Sequence, residues 1–335
     1  MQLKKLVPHS GYARITLALV VLQAIIVIIL ESLIFSEYSS YFYKKGINLA
    51  EERGRGIPIY LIIFSFSQVF QVVLIWDAIT HQNTIQLIGF GISNLCCCVF
   101  SVFQVFQIKL SLNDASGKEI SDATLVFESI KMKLIGVTIV TGATELLCLY
   151  LGFKLYKEFG WQIYKKIGAD PHMKNIYRTY QIFILFIKLD FFFFLGFTLQ
   201  FLVLVLHEGD IEYPLTIILI PLTLIILFIA VWSVRHESRT MMVVFLVTLA
   251  CGFAYFGFKI VRMYMPDQKK KYQYTHMFLT SFAAISLAAL IATFLNAVLC
   301  WRNFGKGLKQ HLLHTSGAVV TETNISPYQR TMVIE

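Results

Sequence analysis

The chain has 335 residues, of which 57% are hydrophobic and 15% aromatic. Charged residues make up 15%, well below the roughly 25% usual for soluble chains, and the mean hydropathy is +0.67; a soluble globular protein is excluded. In a soluble chain the net charge of +9 would suggest nucleic acid, but here Lys and Arg lie in loops beside apolar runs, where they set membrane orientation and meet anionic headgroups. The expected partner is therefore membrane lipid, not nucleic acid.

A hydrocarbon core needs roughly 20 apolar residues in helical form to cross it. About eight such runs follow one another, near 14–35, 57–79, 84–108, 132–156, 177–206, 213–234, 240–264 and 275–302. The first follows Lys4, Lys5 and Arg14 and is too long for a signal-peptide core, so it reads as a retained signal anchor. Spans two and three are separated by a few residues ending in Asn83, a plausible helix N-cap. In the connection before span five, Phe159, Trp161, Ile163, Tyr164 and Ile167 alternate with Lys157, Lys165 and Lys166. That pattern predicts a short interfacial helix ending near Gly168, with Asp170-Pro171 as its stop. No loop is long enough to hold a soluble domain. The expected fold is all-α, a polytopic transmembrane helical bundle over residues 1–304, followed by a polar, mobile cytosolic tail over 305–335.

Eight spans put both termini on one side. Lys and Arg are nearly balanced between the two sides. However, the connection before span five is strongly basic, whereas His207-Glu208-Gly209-Asp210-Ile211-Glu212 after it has no Lys or Arg. The positive-inside rule then assigns both termini to the cytosol.

Charge inside the spans is the main functional lead, because each ionised group at bilayer depth costs roughly 2.5–3.5 kcal/mol on insertion scales. Glu145 lies near the middle of span four, and Lys188 and Asp190 near the middle of span five. Sequential spans tend to be neighbours, so these three are expected to form a midplane cluster in which Lys188 meets Glu145, or Asp190 meets another helix. Glu31 and Lys259 match in depth and form a second candidate pair. Asp77, near the end of span two beside Trp76, is expected to reach the interface unaided. The amides are numerous, and the pairs Gln68/Gln71 and Gln104/Gln107 each share a helix face that must turn inward, since lipid cannot hydrogen-bond it. Ala284, Ala288 and Ala292 form a small-residue ridge for helix packing or for association between chains. Pro214 and Pro221 are expected to kink span six, and Pro221 is internal enough to free backbone carbonyls.

Enzyme signatures are missing: there is no G-x-S-x-G, H-E-x-x-H, P-loop or G-x-G-x-x-G pattern. The histidines have no metal-ligand spacing, and all six cysteines lie in apolar runs. No enzyme activity, metal or cofactor is expected. Two functions lead: a transporter or channel using Glu145, Lys188 and Asp190, or a non-enzymatic scaffold that organises lipid or cargo, in which the polar groups serve packing; a lipid-acting membrane enzyme with a dispersed site is a third reading, disfavoured by the missing motifs.

Three stretches, WDAITHQNTIQLIGFGISN (76–94), EFGWQIYKKIGADPHMKNIYRTYQIF (158–183) and KLDFFFFLGFTLQFLVLV (188–205), resemble the fungal UPF0658 Golgi apparatus membrane protein family. The resemblance spans roughly 14–302. It implies a multi-pass protein of the Golgi or the wider secretory pathway, and it supplies no catalytic residues.

Overall fold

The computed structural model describes residues 10–44, 56–116, 120–167, 171–204, 212–265 and 276–306. They form eight helices: α1 (Gly11–Lys44), α2 (Gly56–Thr80), α3 (Thr84–Ser116), α4 (Ile120–Ile167), α5 (Pro171–Leu204), α6 (Glu212–His236), α7 (Arg239–Met263) and α8 (His276–Arg302). Each contains a stretch long and apolar enough to cross a bilayer. Helices are the expected outcome, because within hydrocarbon every backbone N–H and C=O must be bonded inside its own segment. The all-α reading and the eight spans therefore stand, while the proposed tail beyond residue 306 lies outside the described residues.

Two tight connections show how the chain reverses. Between α2 and α3, Asn83 Oδ1 accepts hydrogen bonds from the backbone N–H of Ile85 (3.0 Å) and Gln86 (3.3 Å), which makes it the N-cap read from the sequence. Gln82 just before it adopts a left-handed backbone, φ 51°. Between α6 and α7 the same conformation falls on Glu237, φ 53°, and Ser233 Oγ closes the turn by donating to the Ser238 carbonyl at 3.0 Å.

One expectation needs correcting. The basic, aromatic stretch before Gly168 is not a separate interfacial helix. It is the end of α4, which continues unbroken for 48 residues. At about 1.5 Å per residue that is roughly 70 Å, so α4 projects well beyond a hydrocarbon core. Phe159 is buried, which ties this end to the bundle. The helix ends at Ile167, close to the end near Gly168 read from the sequence, and Pro171 opens α5, where its missing N–H and fixed φ suit a first helical position.

The helices form two four-membered rings. In α1–α4 each helix packs on its neighbours in sequence and α1 closes against α4; α5–α8 repeats the pattern, with α5 closing against α8. The rings meet chiefly where α5 lies against α2 and α3. On the side bearing the start of α1 and the end of α8, the terminal side, the rings have largely separate cores: one around Leu74, Phe90 and Leu155, the other around Phe183, Val234 and Ala297. On the opposite side a single core joins them, with Ile34, Tyr38 and Phe64 packed in one cluster with Phe197, Phe201 and Phe256.

The run Phe191–Phe194 explains how α5 can serve both rings. Successive residues on a helix point about 100° apart, so four phenylalanines reach four directions. Phe191 packs into the α5–α8 core. Phe192 stacks on Phe70 and Phe66 of α2, with centroids 4.8 Å and 5.8 Å away. Phe194 meets Phe256 of α7 edge-on at 6.0 Å.

On α8 the inward stripe is Ala283, Ser286, Thr293, Ala297 and Cys300, all buried. The alanine ridge is not part of it: Ala284 and Ala288 are exposed and Ala292 is half-buried. It therefore faces away from the bundle and does not serve the packing of this chain.

The rings approach closely at Gly89 of α3. A Cβ there would lie 2.6 Å from both terminal methyls of Leu185 on α5. Gly89→Leu should therefore destabilise the protein by about 1–3 kcal/mol through overpacking, and adding Leu185→Ala should restore most of the loss. Thermal unfolding of the single and double variants in detergent would show this, and a fully additive double variant would refute the contact.

Candidate functional site

The polar groups inside α1–α4 come together in layers. Gln23 of α1 donates through Nε2 to Gln68 Oε1 of α2 (2.9 Å) and to Asn94 Oδ1 of α3 (3.0 Å). Asn94 in turn donates through Nδ2 to Glu145 Oε2 of α4 at 2.7 Å. One side chain from each helix thus joins a single buried layer. Beside it Gln71 donates to Ser93 Oγ at 2.7 Å. Further toward the opposite side, Ser101 and Thr141 hydroxyls meet at 3.3 Å. Beyond them Gln104 donates through Nε2 to both Glu31 oxygens, at 3.1 and 2.9 Å. The column ends at Glu37, which accepts from Lys133 at 2.6 Å and from Ser129 at 3.1 Å. At the terminal side, Ser10 donates to Glu158 at 2.7 Å.

This pattern is what interhelical bonding in hydrocarbon requires. A side-chain amide on a span has only another helix to bond, and each such bond is worth about 0.6 kcal/mol. Of the amides read from the sequence as facing inward, Gln68, Gln71 and Gln104 are buried, whereas Gln107 is only half-buried.

The structure does not bring Glu145, Lys188 and Asp190 into one cluster. Glu145 bonds to Asn94 within the first ring. Lys188 forms an ion pair with Asp77 of α2, three residues before the end of that helix. Both side chains are about a quarter exposed, 24% and 23%. The lysine has a long, flexible stem, so its ammonium reaches toward the nearer interface instead of the midplane. Asp77 is therefore not left to reach the interface alone: it holds Lys188 and lies 3.2 Å from His81 Nδ1. The result is a charged clasp between α2 and α5, and hence between the two rings.

Asp190 takes the other alternative and meets another helix. Thr293 of α8 donates to its Oδ2 at 2.5 Å, and Thr293 also lies 3.0 Å from the Ala289 carbonyl. Asp190 is 5% exposed, and its Oδ1 has no hydrogen-bond partner among the described residues. Glu31 and Lys259 are not a pair. Glu31 turns to Gln104 in the first ring, and Lys259 Nζ lies over the Phe201 ring at 3.9 Å and the Tyr255 ring at 5.5 Å in the second. Equal depth did not make them neighbours, because the rings place them on different sides of α5.

A cavity of about 370 Å³ lies within α5–α8. This is within the range of small-ligand pockets. Asp190, Phe245 and Phe256 belong to its buried floor, while the exposed Leu215, Leu222 and Cys251 form a rim on α6 and α7. In a bilayer that rim meets acyl chains. The walls are almost wholly apolar, with Thr216, Thr223 and Thr248 as scattered hydroxyls. Thr216, Leu219 and Thr223 share one face of α6 by their spacing, as do Thr248, Gly252, Tyr255 and Lys259 on α7. Pro221 lies inside α6 at this level. It cannot donate to the Ile217 carbonyl as a regular helix would require, and α6 is among the least buried of the spans. The cavity thus sits beside a helix that is continuous but lacks one backbone hydrogen bond at Pro221 and is among the least buried.

Comparison with known proteins supports the same division. Residues 167–302 match a domain of unknown function (DUF7789), and these bounds nearly coincide with the second ring. Over 317 residues, 89% of this chain, the sequence is 28% identical to a UPF0658 Golgi apparatus membrane protein of the fission yeast Schizosaccharomyces pombe, covering 88% of that protein. The resemblance to the UPF0658 Golgi proteins holds. It runs through both rings, as the length of the match requires. No solved structure matches the chain.

The α2–α5 clasp yields two expectations. In a double-mutant cycle, Asp77→Asn and Lys188→Met should show a coupling of about 1–3 kcal/mol, as for contacting charges partly shielded from water; a coupling near zero would dissolve the clasp. His81 lies just past α2, and its hydrogen bond to Asp77 raises its pKa above the ordinary value. A raised folded-state pKa means that the stabilisation is complete below the unfolded value and is lost as pH rises through the folded value. In an NMR titration His81 should titrate above about 6.5 and return toward that value in Asp77→Asn; an unchanged titration in the variant would contradict the bond.

Proposed function

We propose that this is a non-enzymatic membrane protein of the Golgi or a neighbouring secretory compartment, with both termini cytosolic, whose second ring holds a lipid. The supporting observation is the cavity. Its walls are apolar, its rim lies on membrane-facing surfaces of α6 and α7, and it sits beside a helix that carries an internal proline, Pro221. An aqueous pathway would call for polar walls along its length, and this cavity has few polar groups. The first ring supports the same reading from the other direction. Its amides and carboxylates bond to one another across all four helices, as packing groups do. The compartment is drawn from the name of the fission yeast relative, and the orientation from the basic connection before α5.

A carrier or channel is the second reading. It draws on the polar column in α1–α4, where the amide oxygens of Gln23, Gln71 and Gln104 are buried without a donor among the described residues. These oxygens would suit water or a small cation moving along the ring interior.

The lipid reading is tested by crosslinking in nanodiscs, using phosphatidylcholine with a photoactivatable group on one acyl chain. Adducts should concentrate on the cavity-facing segments of α6 and α7, and Leu219→Trp, which fills the cavity, should reduce them several-fold. Adducts spread evenly over all outward faces, unchanged by Leu219→Trp, would contradict it.

A further inference from the structure

We infer that the molecule held in the α5–α8 cavity is a lipid alcohol, an apolar body carrying an uncharged hydroxyl that donates to Asp190 Oδ1. This rests on the lipid reading above and adds the chemical class of the ligand. The buried carboxyl of Asp190 lines the cavity together with Phe193, Phe194, Ser286 and Leu290. One of its oxygens is occupied by Thr293 at 2.5 Å. The other is shielded from solvent and accepts nothing from the described residues. A buried acceptor left without a donor is costly, and a donor supplied by a ligand removes that cost.

The surroundings decide which donor fits. Lys259 lines the same cavity, so a ligand ammonium would enter a space that already holds a cation. A phosphate or carboxylate would have to approach Asp190 through walls that are almost entirely hydrocarbon, where ionised groups are poorly tolerated. A neutral hydroxyl avoids both penalties. It can bond to Asp190 while the remainder of the molecule contacts phenylalanine and leucine. Sterols and diacylglycerols share this chemistry, and the experiment separates them.

The test is equilibrium binding to the full-length protein in nanodiscs. A sterol and a diacylglycerol are each compared with their O-methyl ether, which keeps the shape but cannot donate. At least one alcohol should bind about tenfold or more tightly than its ether, as a hydrogen bond to a carboxyl group implies, and which pair shows the effect names the source. In Asp190→Leu, which replaces the carboxyl with an apolar group of similar size and suits a membrane span, the alcohol and ether should bind alike. The alcohol–ether comparison in the unaltered protein stands even if that variant fails to fold. Equal binding of alcohol and ether, or a preference that persists in Asp190→Leu, would overturn the assignment and leave the lipid cavity intact. Absence of binding by any of these lipids and by phosphatidylcholine would overturn the lipid reading itself.

Discussion

Hydrocarbon offers no hydrogen bonds, so a polar side chain on a membrane-spanning helix bonds to a neighbouring helix or to nothing. The Gln23–Gln68–Asn94–Glu145 layer follows from this constraint. Its members come one from each of α1 to α4, and their bonds fix the rotation of four helices about their axes at once. The apolar stripes alone would not do so, because leucine packs on lipid about as well as on leucine. The Glu31–Gln104 contact repeats the device toward the opposite side. The first ring is thus defined by specific bonds between its own members.

The second ring is built differently. Its contacts are mostly aromatic and aliphatic, for example Phe183 on Phe245, edge-on at 5.9 Å, and Phe197 on Phe256 at 5.0 Å. Packing of this kind tolerates sliding and repacking more readily than a set of directional bonds does. The cavity and the proline-containing helix α6 both fall in this ring. The domain of unknown function covers the same four helices, so the structural division corresponds to a unit recognised in sequence. Helix α5 couples the two rings through Phe192, Lys188 and the close approach at Gly89, so a change in the loosely held ring can be felt by the tightly bonded one.

Much of this architecture was legible in the sequence, for physical reasons. Span lengths follow from hydrocarbon thickness, and all eight helices lie close to where the apolar runs place them. Gln68, Gln71 and Gln104 had to face inward, and Asn83 had the right chemistry and position for a cap. Partner assignment was not legible. Depth along a span is readable from residue number, but azimuth around the bundle is not, so Glu31 and Lys259 matched in height and yet lie in different rings. Lys188 was misplaced because its long stem lets the charge sit well away from its Cα. The cavity left only faint traces: Pro221, and the threonine and glycine positions that share a face on α6 and α7. A void is made by several helices together, and no single segment encodes it.

We propose that the rings differ in kind, the first closed by hydrogen bonds and the second holding a lipid. This is tested most directly by a cryo-electron microscopy map of the protein in lipid nanodiscs, at a resolution that shows ordered lipid and water. The account predicts elongated density entering between α6 and α7 and ending beside Asp190, with no continuous file of water through α1–α4. Closure of α6 onto α7 over an empty interior, together with a water file running past Gln23, Glu145 and Glu31, would contradict it.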